Sequence, residues 1–128
     1  MLCDSNIVIY AAEPDDTRCL PFVTFVTHVD AAIAAVSRIE VLGFPGFGRL
    51  SEERQNRLIE IVASIAEIAL TETVIRQAII LRQQKKMSLG DAIIAATALV
   101  HALPLVTRNV EDFRHIASLT LINPFEPA

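Results

Sequence analysis

Leu2-Cys-Asp-Ser-Asn-Ile-Val-Ile-Tyr10 is the stretch on which the reading of the chain turns. It is apolar and β-branched around Ile7, Val8 and Ile9, which predicts a buried strand over Leu2 to Ala11 that runs into a loop. Glu13, Pro14, Asp15 and Asp16 punctuate its end. Asp4 sits inside the run. A carboxylate in an apolar strand has no helix to cap, and burying it unpaired costs several kcal/mol. Asp4 therefore demands a cation, a hydrogen-bond shell, or both.

Working outward, the chain alternates between short apolar runs and helical patterns. Pro21 to His28 reads as a helix. Ala31 to Val36 reads as a second buried strand, after which Ser37 is the N-cap of a helix carrying Ile39, Leu42 and Phe44 and ended by Pro45, Gly46 and Gly48. Ser51 caps a helix with Leu58, Ile61, Val62 and Ile65 on one stripe. Ile68 to Leu70 is a short strand, and Thr71 begins a helix that finishes in Arg82, Lys85 and Lys86, basic residues that suit a helix end or could face a phosphate. Ser88 opens the most apolar helix, Asp91 to Ala102. Pro104 to Val106 is a strand, Asn109 caps a short helix through His115, and Leu119 to Ile122 is the last strand, stopped by Pro124. Strands alternating with helices, several of them apolar on both faces, predict an open α/β fold with a mainly parallel sheet.

In such a sheet the strands' carboxyl ends share one edge. Asp4, Glu40 and Asp112 follow strands and should converge there; Asp91 joins them only if its helix leads in to the same rim. Converging carboxylates raise one another's pKa or bind a divalent cation, and an all-oxygen set favours Mg²⁺ or Mn²⁺ over Zn²⁺. A purely structural reading competes with this. Ser37-Arg-Ile-Glu40 and Ser88-Leu-Gly-Asp91 fit the capping-box pattern, and Asn109-Val-Glu-Asp112 is a close variant. Asp4 is the acid that this reading leaves unexplained.

Composition narrows the classes. At 128 residues the chain fits one domain, 1–128, and 52% hydrophobic residues can build a core. Aromatics are 5% with no Trp, which argues against a base-stacking sheet. The net charge of −4 argues against coating DNA by phosphate neutralisation alone. Cys3 and Cys19 are too few for a disulfide scaffold and fit a reduced, cytoplasmic setting. No signal peptide is visible, and the apolar tract Ala92 to Val106 is too short and interrupted to span a membrane. His28, His101 and His115 form no ligand pattern.

These residues also carry a family likeness. Leu2 to Tyr10 resembles the opening Asp-Thr-Asn strand of PIN domains, and Ser37-Arg-Ile-Glu40 matches the position of their second acid. Leu89-Gly-Asp-Ala-Ile-Ile-Ala-Ala-Thr-Ala98 resembles their third-acid motif, Thr107-Arg-Asn-Val-Glu-Asp-Phe113 their closing motif, and Leu121-Ile-Asn-Pro-Phe125 their usual ending. The chain is most similar to the toxin ribonucleases of VapBC-type toxin–antitoxin modules. That resemblance implies a three-layer α/β/α fold with a mainly parallel sheet of four to five strands, and Mg²⁺- or Mn²⁺-dependent cleavage of RNA. It implies Asp4, Glu40 and Asp91 as catalytic metal ligands, with Asp112 or Asn109 as the fourth. Ser5 replaces the common Thr and keeps its hydroxyl, and Asn6 is implied to orient the first carboxylate. Thr107 is a candidate hydrogen-bond donor to ligands or phosphate, and Arg108 a candidate phosphate contact. A homodimer and a small antitoxin protein are the implied partners.

Two other readings make different demands. A phosphoacceptor receiver domain needs paired acids after the first strand and a Lys after the last; the chain offers Asp4 alone and Asn123-Pro124-Phe125. A catalytically idle binding module of the same fold need not bind metal at all.

Overall fold

The structure is a computed structural model describing residues 1–13 and 17–125. Among these, five short strands form one sheet: β1 (Leu2–Cys3), β2 (Ala32–Ala34), β3 (Ala66–Ile68), β4 (Leu105–Val106) and β5 (Leu121–Ile122). Their order is β3-β2-β1-β4-β5, and every neighbouring pair is parallel. Six helices accompany them: α1 (Ser5–Ala11), α2 (Leu20–Val26), α3 (Ala35–Leu42), α4 (Glu52–Ser64), α5 (Glu72–Gln84) and α6 (Leu89–Val100).

Alternation along the strands divides the core into two layers. Leu2, Ala32, Ala34 and Leu105 point to one side, where they pack with Val74, Ala78 and Leu81 of α5, the buried face of α6, and Phe113. Cys3, Ile33 and Val106 point to the other, against Ile7 and Val8 of α1, Phe22 of α2, Val41 of α3 and Leu58 of α4. Helices on both faces of a parallel sheet make a three-layer α/β/α fold. Ala92, Ala95, Ala96 and Ala98 are fully buried on α6. Their small side chains let this helix lie close against its neighbours.

The first element differs from expectation. The strand ends at Cys3, and Ile7-Val8-Ile9 lies in a helix. Asp4 takes extended backbone angles at the N-cap of α1, and Ile7, Val8 and Ala11 form its buried stripe, so tertiary burial overrides the β preference of the run. The second strand is also shorter. Ala34 is the N-cap of α3 and gives it no side-chain cap bond, so Ser37 is no cap and its S-x-x-E pattern no capping box. Asn109 makes no side-chain cap bond either, and only a single 3-10 turn, Val110–Asp112, follows it. The third strand lies at Ala66–Ile68, ahead of Ile68 to Leu70, and the last begins at Leu121. Ser51, Thr71 and Ser88 do cap their helices, each accepting a backbone N–H three residues on. The expected loop at Pro14, Asp15 and Asp16 lies outside the described residues. No described helix is long and apolar enough to cross a membrane.

The strand order has one consequence for function. From β1 the chain steps outward to β2 and β3, then returns to place β4 on the other side of β1 and β5 beyond it. The order reverses between β1 and β4. Open α/β sheets bind ligands in the crevice outside the strands' carboxyl ends at such a reversal.

Candidate active site

Asp4 follows β1 and Thr107 follows β4, so the two flank that reversal. Thr107 Oγ1 donates to Asp4 Oδ2 at 2.8 Å, joining positions 103 residues apart. The Ser5 backbone N–H donates to Asp4 Oδ1 at 2.8 Å. Asp4 therefore does have a capping duty, contrary to the strand reading, and its 5% exposure leaves it buried all the same. Thr107 is locked in turn, since its Oγ1 accepts the backbone N–H of Asn109 at 3.0 Å.

Ser5 links this acid to the second. Its Oγ lies 2.8 Å from Glu40 Oε1 and 3.0 Å from Ser37 Oγ. A serine has one hydroxyl proton, and a carboxylate can only accept. The proton of Ser5 goes to Glu40, and Ser37 supplies its own to Ser5. Ser37, fully buried on α3, is thus the inner end of a hydroxyl chain that terminates on Glu40. Ser37 reads from the sequence as a cap, and a polar residue one turn before an acid is the signal that points instead to this hydroxyl chain.

Asp91 reaches the same rim. Its helix α6 leads into β4 through residues 101–104, so the helix runs back against the strand and begins at the strand's carboxyl end. The acids act on one another there. Burial pushes the Asp4 carboxyl up from its ordinary 3.8 to about 6; the charges of Asp91 and Glu40 add to this, while hydrogen bonds from Thr107 and Ser5 oppose it. Asp91 is also raised, by partial burial first, then by Asp112 and Glu40, against a hydrogen bond with Ser88. Asp112 stands exposed on the 3-10 turn across a cleft of about 200 Å³ that it lines with Lys85, Lys86, Met87, Ser88, Asp91 and Glu111. It is the charge of Asp112 that bears on Asp91, whereas Asn109 joins the network through its backbone N–H.

The remaining residues take the following places. Among the described residues no hydrogen bond joins Asn6 to Asp4; Ser5 and Thr107 orient that carboxylate instead. Arg108 holds its guanidinium 5.6 Å from the Tyr10 ring centroid and 4.9 Å from that of Phe125, stacked beside the rim. Cys3 is core, its thiol pushed up to about 12 by burial.

The donor set suits a hard divalent cation in kind: all oxygen, one carboxylate buried and anchored, the others half-buried or exposed. In distance it is open, because among the described residues no three His, Cys, Asp or Glu side chains are gathered closely enough to hold one ion. Asp112 is exposed on its turn, and Glu40, exposed along its stem, has its carboxylate held by Ser5.

A parallel α/β/α fold with acids at the sheet's point of reversal is the class to which these features assign the chain. The PIN domain family model matches residues 1–119, and the chain belongs to that family, one of nucleases. Among solved structures it is similar to a toxin–antitoxin complex from Klebsiella pneumoniae, at 28% identity and a TM-score of 0.75 over 98% of both chains. It shares its fold with VapBC2 from Rickettsia felis bound to a promoter DNA fragment (20% identity, TM-score 0.77, 95% of this chain and 96% of that). It shares it also with FitAcB from Neisseria gonorrhoeae (21% identity, TM-score 0.74, 98% and 99%). No curated relative matches it.

The electrostatics predict an unusual pH profile. Native Asp4 keeps its proton to higher pH than the unfolded chain does. Its contribution to stability is therefore fully present below the unfolded value of 3.8 and is lost as pH rises through about 6. The loss amounts to about 2–3 kcal/mol. Metal-free Asp4→Asn should melt higher than wild type above that window and lose the difference below it, in thermal melts across pH with chelator present. Equal pH slopes for the two proteins would show that Asp4 is not the strained group.

Proposed function

We propose that this protein is a Mg²⁺- or Mn²⁺-dependent ribonuclease that hydrolyses RNA phosphodiester bonds, and that it is the toxin of a toxin–antitoxin pair. The observation that carries the reading is the Ser5 bridge: one residue holds Asp4 through its N–H and Glu40 through its hydroxyl, at the point where the strand order reverses.

Asp4, Glu40 and Asp91 would hold the cation, with Asp112 across the cleft as the fourth acid. When bound, it supplies Lewis-acid activation of the phosphodiester and of the attacking water. The chain's residues do the rest. Thr107 and Ser5 fix the Asp4 carboxylate, each using one lone pair and leaving others for a ligand. The Ser37–Ser5 hydroxyl chain orients Glu40. Without a cation the acids repel phosphate; with one the local sign reverses, which reconciles an acidic protein with an anionic substrate. Lys85 and Lys86 line the cleft beside Asp91 and Asp112, and Arg108, next in the chain to Thr107, is braced on Tyr10 and Phe125, so cations are at hand for an RNA strand crossing the acids. An idle binding module of the same fold is the second reading, favoured by the open spacing of the acids.

Antitoxin and self-association belong to the same proposal. Complexes with antitoxins are described for similar structures, and this chain leaves apolar side chains exposed on several helices, including Leu20 at 62%, Ile39 at 70%, Ile59 at 47% and Ile79 at 52%. A homodimer and a short antitoxin would cover them.

The purified protein should cleave RNA only with Mg²⁺ or Mn²⁺. Asp4→Asn and Asp91→Asn should lose more than about 100-fold of that activity, beyond what losing an indirect metal contact does, with the fold intact by circular dichroism. Lys85→Ala with Lys86→Ala should keep the metal but flatten the salt dependence of RNA binding, by about 1 in log–log slope per lysine that meets a phosphate. Full cleavage by both acid variants would end the assignment of the site to these acids, and a wild-type chain that neither cleaves RNA nor binds Mn²⁺ would leave the idle module. A short protein encoded beside this one should copurify with it and silence cleavage; failure of any neighbouring product to bind would remove the toxin assignment alone.

A further inference from the structure

Gly90 occupies the second helical position of α6, between the cap Ser88 and Asp91. Its backbone makes no demand for glycine, since no glycine in the described chain has a positive φ. Glycine inside a helix is less favourable than alanine, because it leaves more chain entropy to be lost on folding. Something other than the backbone must account for it.

The space beside it supplies the reason. An ideal Cβ built on Gly90 would stand 2.7 Å from Glu40 Oε2, 3.1 Å from its Cδ and 3.3 Å from Oε1. The whole Glu40 carboxylate lies against the bare Cα, held from its other side by Ser5. We infer that Gly90 is a positioning residue for Glu40: the missing methyl is the room that lets this carboxylate stand next to Asp91 on the rim. Gly90 directly precedes Asp91, so a carboxylate seated against it stands beside that acid. The clashing atoms belong to the end of a flexible side chain. A methyl at position 90 would therefore swing Glu40 aside and leave the helix undisturbed. Glu40 would lose its bond from Ser5 and its place beside Asp91. The inference rests on the cation-binding reading above and assigns to α6 a second duty in it, besides carrying Asp91.

The test is calorimetric titration of the full chain with Mn²⁺, together with thermal melts of the metal-free protein. Gly90→Ala should weaken Mn²⁺ binding roughly 10-fold or more, as losses of residues that orient a ligand do. Its metal-free melting temperature should stay level or rise, because alanine favours the helix. In a Glu40→Ala background, where no carboxylate remains to displace, the same substitution should cause no further loss. Equal Mn²⁺ affinity in wild type and Gly90→Ala overturns the inference and leaves the cation site standing. So does an undiminished effect in the Glu40→Ala background, or a melting temperature below wild type, which would assign the glycine to folding. A wild-type chain that binds no Mn²⁺ overturns the cation reading itself and this inference with it.

Discussion

A negative charge is buried between the first and fourth strands, and the rest of the site is arranged around it. Asp4 is tolerated because two donors from different parts of the chain, the Ser5 N–H and the Thr107 hydroxyl, meet its two oxygens. Those bonds lower its pKa but do not cancel the effect of burial and of nearby Asp91 and Glu40, and the carboxyl stays raised to about 6. Concentrating acids this way opposes folding and favours a cation. A site that holds its groups under such tension gives up stability for binding capacity.

The neighbouring residues extend that constraint across the rim. Ser5 ties α1 to α3 through Glu40, and Ser37 backs Ser5 from inside α3. Thr107 ties the loop after β4 to Asp4 and receives the Asn109 N–H, which sets the turn that carries Asp112. Asp91 arrives on α6, whose apolar face is the most completely buried of any described helix. Four separate segments are thus registered round the buried acid by hydroxyl groups and packing.

Much of this was legible in the residues. The buried acid at Asp4, the all-oxygen set and the shared edge of a parallel sheet follow from pattern and topology. Ser88 is both the cap and the start of the third acid's helix, as its spacing indicates. Other features were hidden for physical reasons. Ile7-Val8-Ile9 has strand-like composition, but the spacing of Ile7, Val8 and Ala11 is helical, and burial decided in favour of the helix. Ser37 sits in a capping-box pattern one turn inside a helix that begins with no polar cap at all, so its true partner, Ser5, was out of local view. Gly90 owes its identity to a side chain on another helix, a relation no local pattern contains.

The proposal that these acids hold a hard divalent cation stands or falls on one measurement. Crystals grown with Mn²⁺ and measured for its anomalous scattering test it directly. The account predicts a peak at the rim within about 2–2.5 Å of an Asp4 oxygen and of an oxygen from Glu40 or Asp91. A fully loaded crystal with no peak there, or with Mn²⁺ bound elsewhere and Asp4 still joined only to Ser5 and Thr107, would contradict it.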